Sequence, residues 1–529
     1  MKKPTFLDAK QAVDLIRDGS TLCTIGMTLI SASETILTEI ERRFLNEGHP
    51  QNLTYVHTCG QAAMKMPGGM THFAHEGLLK RIIGGHWGQS PQMMELISGN
   101  KVEAYNLPQG QMANLFHSMA LREPGKLSKI GLGTYIDPRI EGAKMNQRTK
   151  DCGDEVVAIV KVDGEEYIQY KPIPIDTLII RGTYCDEHGN LSTEEEGMVL
   201  EVLPAVMATK RWGGKVIAQV KSVIEYGAIK PKEVAVPGVL IDAVVVCDDA
   251  YKNHRQTFSW FFDPAYCGRV RIPETSIKTI PLNERKVIGR RALMYLQRDA
   301  IINIGTGIPN DTVGPIMAEE KICDLVSVTV ESGIYGGIPA STIDFGIAAN
   351  PEALVGHDRQ FELYNGVGVD FTFMGAGEMD MHGNVNATRM GNRAPGAGGF
   401  IDITSTAKNV VFCSTFTGGG LKVGFADTGV KIQQEGKFKK LVKEVQQISY
   451  NGALAKKRGQ NMYYVTERAV FQLTEKGPML IEIAEGMDLE RDILSQMEFR
   501  PEISQELRRT PMDIYRNGAF GLRELLTKS

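Results

Sequence analysis

The residue best placed to do covalent chemistry in this chain is a carboxylate at the end of an apolar run. Leu325-Val-Ser-Val-Thr-Val330 is apolar and β-branched, the composition of a buried strand. It stops at Glu331 and gives way to Ser-Gly-Ile-Tyr-Gly-Gly-Ile-Pro, where Gly333, Gly336, Gly337 and Pro339 cannot continue it. Ligands of open α/β sheets bind beyond the carboxyl ends of the strands. The pattern therefore mounts a nucleophile or base on a stiff element at such a crevice. Locally, the same residues also suit an ordinary strand-end glutamate paired with a basic group, and this segment does not choose between the two.

Glycines cluster elsewhere in the second half, at 391–399 and 418–420. Glycine allows backbone N–H groups to approach a ligand, and near a carboxylate such groups can hold an oxyanion. Gly305-Thr-Gly-Ile-Pro-Asn310 resembles the start of a dinucleotide fingerprint, but Asn310 stands where the third glycine belongs, and a strand-to-helix turn is the better reading. His72-Phe-Ala-His75 has helical ligand spacing without a third ligand at a familiar distance, so no metal is expected. Asp186-Glu-His-Gly-Asn190 and Asp380-Met-His-Gly-Asn384 suit tight turns as well as catalysis. No phosphate-binding loop of the Gly-x-x-x-x-Gly-Lys-Ser/Thr type and no Gly-x-Ser-x-Gly elbow occurs.

The elements that must position these residues alternate along the chain. Strands are expected at 21–25, 53–56, 176–181, 215–220 and 236–247, with helices at 33–45, capped by Ser33, and 200–210. Such alternation implies parallel α/β layers. Residues 270–284, with two prolines and no period, read as a linker, followed by an amphipathic helix at 284–297. Beyond 429, strands are expected at 462–465, 469–473 and 479–483, then a helix at 489–497. The Asp-x-His-Gly-Asn segments and the loops Ile25-Gly-Met-Thr28 and Ile304-Gly-Thr-Gly307 recur at equivalent places, which suggests duplicated halves, 1–275 and 276–529. The two separations differ, so the first half must carry extra chain, placed at about 110–175.

At 529 residues the chain exceeds what one core supports. A net charge of −4 gives no electrostatic reason to expect nucleic acid or a membrane surface. No apolar run is long enough to span a bilayer, and the start lacks the apolar region of a signal peptide. Eight scattered cysteines without a CxxC pair suggest neither disulfides nor zinc, and point to a reduced, cytoplasmic protein.

Together these residues resemble a family I coenzyme A transferase along essentially the whole chain. Val330-Glu-Ser-Gly-Ile-Tyr-Gly-Gly-Ile-Pro339 resembles the catalytic glutamate loop, Ala104-Tyr-Asn-Leu-Pro-Gln-Gly110 the glutamine segment near the thioester, and Gly396-Ala-Gly-Gly-Phe-Ile-Asp402 the glycine turn facing the glutamate. His72–Arg81, Gly85-His-Trp87 and Arg181-Gly-Thr-Tyr184 resemble the propionate/acetate branch, in which both halves share one polypeptide. The resemblance implies an α/β fold of two related domains, each a largely parallel sheet flanked by helices. It implies exchange of CoA between short-chain acids such as acetate, propionate, butyrate, lactate and acetoacetate, through a glutamyl-CoA thioester on Glu331. Gln109, Gly398 and Gly399 would supply oxyanion donors, and Gly26, Met27 and Thr28 the acyl pocket. That loop lacks the several glycines common there in relatives. Gly305, Gly307 and Asn384 are candidate contacts to coenzyme A, a cosubstrate, with no tightly bound cofactor and no metal. A homodimer or homotetramer is implied. The rivals are an acyl-CoA hydrolase on the same fold, a nucleotide-dependent oxidoreductase using Gly305-Thr-Gly, and a non-enzymatic small-molecule-binding module.

Overall fold

The computed structural model describes residues 3–528 except 65, 274, 275, 341, 427 and 428. Two sheets dominate. The first has eight strands in the order Thr5–Leu7, Ala243–Val246, Lys215–Ile224, Thr177–Asp186, Thr21–Thr24, Leu53–His57, Leu79–Gly84 and Glu103–Asn106. Every neighbouring pair in it is parallel. Parallel strands are covered on both faces, and the runs Leu178–Ile180 and Val216–Ala218 are accordingly fully buried.

The second sheet has ten strands. Its centre, Ser327–Val330, Ile301–Ile304, Phe371–Gly375, Asn409–Cys413 and Asn461–Val465, is parallel. Antiparallel additions flank it on both sides. Thr21–Thr24 and Ile301–Ile304 hold corresponding places, each between the strand that follows it in its half and the strand leading to an Asp-x-His-Gly-Asn segment. Residues 126–170 contribute a small antiparallel sheet. Leu79–Gly84 and Glu103–Asn106 also extend the first sheet beyond Leu53–His57, where the second sheet has short antiparallel strands instead.

The two Asp-x-His-Gly-Asn segments fold identically, as turns. Asp186 Oδ1 accepts from the N–H groups of His188 and Asn190 at 2.9 and 3.0 Å, and Asn190 Nδ2 donates to Asp186 Oδ2 at 2.8 Å. Asp380, His382 and Asn384 repeat the arrangement at 2.9, 2.9 and 3.0 Å. The asparagine carbonyls receive the N–H of Gly238 in one half and Gly452 in the other, both at 3.0 Å. A Cβ at either glycine would collide with the carbonyl of His188 or His382.

Several expected elements differ. The run 236–247 is a strand only at Ala243–Val246, because Pro237 and Gly238 open a single 3-10 turn first. Ser33 precedes the helix Glu34–Glu47, yet its hydroxyl makes no cap bond. The helix at Glu284 ends at Leu293 and is not amphipathic toward solvent. Lys286, Arg290 and Arg291 are buried, pairing with Glu319 and Glu482. Leu489–Gln496 forms a wide turn and a 3-10 turn rather than a regular helix. His72 lies in the 3-10 turn Gly69–Phe73, with its ring nitrogens 2.7 and 3.1 Å from Glu41 and Glu34. Against the cost of burial, those two carboxylates raise its pKa to about 9. No described helix is long and apolar enough to cross a membrane.

Because Asp380 is buried and satisfies several donors of its turn, Asp380→Ala should cost roughly 1–3 kcal/mol, the penalty for stranding buried donors. Denaturant unfolding of wild type and variant measures it, and an unchanged midpoint contradicts the role.

Candidate active site

Glu331 opens a three-residue hairpin turn. Ser327–Val330 ends, Glu331-Ser332-Gly333 reverse the chain, and Ile334 pairs back on Val330. The turn demands glycine at 333: its φ is +110° and a Cβ would lie 2.0 Å from the Val355 carbonyl oxygen. Ser332 Oγ anchors the turn to the Gly346 carbonyl. The carboxylate thus projects from the carboxyl end of the outermost strand of the sheet's parallel part, and Glu331 is 7% exposed.

The first half brings Gln109 to it. Gln109 starts the helix Gln109–Leu121 directly after the strand Glu103–Asn106, and its Nε2 lies 3.5 Å from Glu331 Oε1. A set of bonds between the halves fixes that approach. Gly398 N–H donates to Gly85 O at 2.8 Å, and Gln109 N–H donates to Gly398 O at 3.0 Å. Ala397 N–H reaches Asn106 Oδ1 at 2.9 Å, and the Trp87 indole donates to Ala394 O at 2.6 Å. Asp402 accepts from Gly110 N–H and Gln111 Nε2 at 3.0 and 2.8 Å.

The same bonds sort the expected oxyanion donors. Gly398 N–H is committed to Gly85 and is not available, which corrects its expected role. Gly399 N–H has no partner among the described residues. A Cβ on Gly399 would stand 3.0 Å from Glu331 Oε2 and 3.0 Å from the Phe361 ring, so a side chain there would press on both.

A cavity of about 280 Å³ surrounds Glu331. Its walls come from loops after the strands of both sheets, so the carboxyl edges of the two halves converge there. Met27, Gly60, His86, Gln89 and Gln109 line it from the first half, and Gly305–Gly307, Phe345, Met374–Gly377, Met390 and Gly396–Phe400 from the second. Of the expected acyl-pocket residues only Met27 reaches the cavity. Thr28 turns its hydroxyl to the Met27 carbonyl, and Gly26 packs on Gln61 and Ile30. Gly305 and Gly307 line the cavity, whereas Asn384 does not: its side chain is consumed by its turn. His86, His357, Phe345 and Met374 were not singled out individually from sequence. Only His86 carried a signal, within Gly85-His-Trp87. Glu103, Cys152 and Asp154 come within metal-binding reach of one another, but Arg81 already pairs with both carboxylates.

Burial dominates the electrostatics. It raises the Glu331 pKa to about 7, partly offset by the His357 ring and the Gln109 amide and reinforced by Asp402. Asp402 is likewise pushed up by burial, to about 6. Behind Gln109 lies a buried histidine. His357 Nε2 is 2.8 Å from Gln109 Nε2, and His357 Nδ1 is 2.6 Å from Glu201 Oε2. Thr58 Oγ1 donates to the other Glu201 oxygen. A half-ionised, water-poor carboxylate beside amide donors suits nucleophilic attack on a carbonyl. Only the ionised form attacks, so the acylation rate should rise with pH through about 7 and level off above it. Rapid-quench measurement with acyl-CoA and no acceptor tests this, and a rate independent of pH across that range contradicts it.

Residues 6–247 match the family model "Coenzyme A transferase". The chain is 40% identical over 529 residues to caffeate CoA-transferase of Acetobacterium woodii, covering 99% of each chain. It is 38% identical over 519 residues to acetate CoA-transferase YdiF of Escherichia coli K12, covering 97% of this chain and 96% of that one. The crystal structure of the acyl-CoA transferase YdiF apoenzyme from E. coli O157:H7 superposes with a TM-score of 0.91 at 37% identity, over 98% and 97% of the two chains. A YdiF thioester complex with CoA matches equally well. This chain belongs to the coenzyme A transferase family and is an acyl-CoA:carboxylate CoA-transferase.

Proposed function

We propose that this transferase moves CoA between short-chain carboxylic acids by a ping-pong route through a glutamyl-CoA thioester on Glu331. The observation that carries this reading is the buried Glu331 carboxylate, flanked by the Gln109 amide and the Gly399 N–H, at the cavity where both halves meet. A Glu331 oxygen attacks the thioester carbonyl, and the C–S bond breaks to release CoA thiolate and leave an acyl-glutamyl anhydride. The thiolate then attacks the Glu331 side-chain carbonyl and expels the acyl group as a free carboxylate. An incoming carboxylate reverses both steps, so no water, proton donor or redox partner is consumed.

Negative charge builds on the carbonyl oxygen in each tetrahedral intermediate, where Gln109 Nε2 and Gly399 N–H are the donors at hand. The anhydride and thioester are exposed to little water because the Glu331 carboxylate that carries them is buried. CoA is the cosubstrate, approaching by the Gly305–Gly307 and Met374–Gly377 loops. The acyl group lies toward Met27 and Phe345. The cavity falls at the small end of ligand pockets, which run from roughly 300 to 1,000 Å³, and it must also hold the thiol end of CoA. That supports a short acid.

Glu331→Ala should abolish transfer with the fold intact by circular dichroism. Wild type incubated with acyl-CoA alone should yield a borohydride-sensitive thioester that peptide mass analysis places at 331. Exchange activity in the variant, or label at another residue, overturns the assignment.

The relatives are named for acids as different as acetate and caffeate, so identity does not select among them. A matrix of acyl-CoA donors against acceptors should show the highest kcat/KM for acetate, propionate or butyrate. A preference for caffeate excludes the short-chain reading, and CoA release independent of added carboxylate favours hydrolysis.

A further inference from the structure

The buried pair Glu201–His357 touches no part of the cavity, yet it is linked to the nucleophile through one side chain. Glu201 and His357 are both 0% exposed, as is Thr58, and Gln109 is 1% exposed. The chain of contacts runs Thr58 Oγ1 to Glu201, Glu201 to His357 Nδ1 at 2.6 Å, His357 Nε2 to Gln109 Nε2 at 2.8 Å, and Gln109 Nε2 to Glu331 Oε1 at 3.5 Å. It crosses between halves three times, because Thr58, Glu201 and Gln109 belong to the first and His357 and Glu331 to the second.

Proton bookkeeping restricts this chain. A glutamine amide can present nitrogen or oxygen, and the Glu331 carboxylate selects the nitrogen, since two acceptor oxygens would repel. The same nitrogen then faces His357 Nε2, which must be a bare acceptor. Burial works against a charged ring, but Cys59 and Glu201 outweigh it and draw the ring's pKa above the ordinary histidine value. The contact at Nε2 argues the other way, because an N–H there would face the Gln109 amide N–H at 2.8 Å. Burial keeps Cys59 a thiol by raising its own pKa, which removes the thiolate as a reason for charging the ring. A protonated ring would place N–H against N–H at 2.8 Å and would turn the amide round, setting its oxygen against Glu331. The neutral ring with its proton on Nδ1, held there by Glu201, satisfies every group.

We propose that Glu201 and His357 are positioning residues that fix the orientation of the Gln109 amide, so that its N–H groups face Glu331 and the oxyanion formed there. This rests on Gln109 being an oxyanion donor, as argued above. Neither residue touches substrate. Glu201 sets the tautomer of His357, His357 sets the amide, and the amide serves the reaction.

The test is a double-mutant cycle on single-turnover acylation by acetyl-CoA, with kcat and KM read in parallel. Gln109→Ala should lower the acylation rate on the order of 100-fold or more, the loss of one such donor. His357→Gln should lower it by about 100-fold, the scale of a misplaced catalytic group, with KM for acetyl-CoA changed by no more than about threefold, since binding is untouched. In the Gln109→Ala background, His357→Gln should cost almost nothing further. Losses that multiply overturn the relay and leave Gln109 as a donor. A wild-type rate for Gln109→Ala overturns both the donor role and the relay that depends on it. If His357→Gln does not fold, Thr58→Val, which removes one partner of Glu201 and keeps the ring, is read in the same cycle with the same outcomes. Nitrogen NMR of histidine-labelled wild type at pH 7 should show a neutral Nδ1–H ring that His357→Gln, or Thr58→Val by a shift, identifies as residue 357. An imidazolium there contradicts the proposal.

Discussion

Keeping a carboxylate dry is the constraint on which the rest of this structure depends. A buried anion without partners is expensive, and among the described residues neither a lysine nor an arginine acts on Glu331. Its pKa near 7 expresses that cost. What offsets that cost comes from the first-half amide of Gln109 at 3.5 Å and from the His357 ring behind it. A paired cation would lower the pKa toward the ordinary carboxylate range. The arrangement holds the side chain near the point where it is ionised and still reactive.

That balance needs two protein halves. Glu331 projects from a hairpin turn of the second sheet, while the Gln109 amide beside it starts a helix of the first half. Backbone bonds between Gly85 and Gly398, and between Gln109 and Gly398, act as the jig. The apolar core supports them, since one cluster runs through both halves and includes Phe361, Ile401 and Met112. The duplicated turns at Asp186 and Asp380 show what the halves still share. The cavity shows where they have parted: one half provides Glu331 and the glycine loops, the other the Gln109 amide and the Met27 side of the pocket.

Where sequence and structure disagree, tertiary partners explain it. Lys286, Arg290 and Arg291 read as the wet face of an amphipathic helix, but Glu319 and Glu482 on neighbouring elements draw them inside. Residues 236–242 are apolar enough for a strand, yet Gly238 is held against the turn of the Asp186 segment and cannot join the sheet. Asn384, a candidate contact to CoA by sequence, is spent on its own turn. Its repetition at Asn190, in an identical turn, was the sign of a structural part.

The sequence by itself determined the α/β architecture, the strand that ends at Glu331 and the glycine turn around it. Those features follow from local chemistry: β-branched runs extend, glycines reverse, and a carboxylate after a buried strand lands at its open end. It also carried the family resemblance, spread across motifs in both halves. Only the tertiary structure decided which amide groups are free to act. Gly398 and Gly399 are indistinguishable as neighbours in a sequence, but one N–H is spent on Gly85 and the other is not. The contact of His357 with Gln109 and Glu201 was equally hidden, because hydrogen-bond partners hundreds of residues apart leave no periodicity in the chain that joins them.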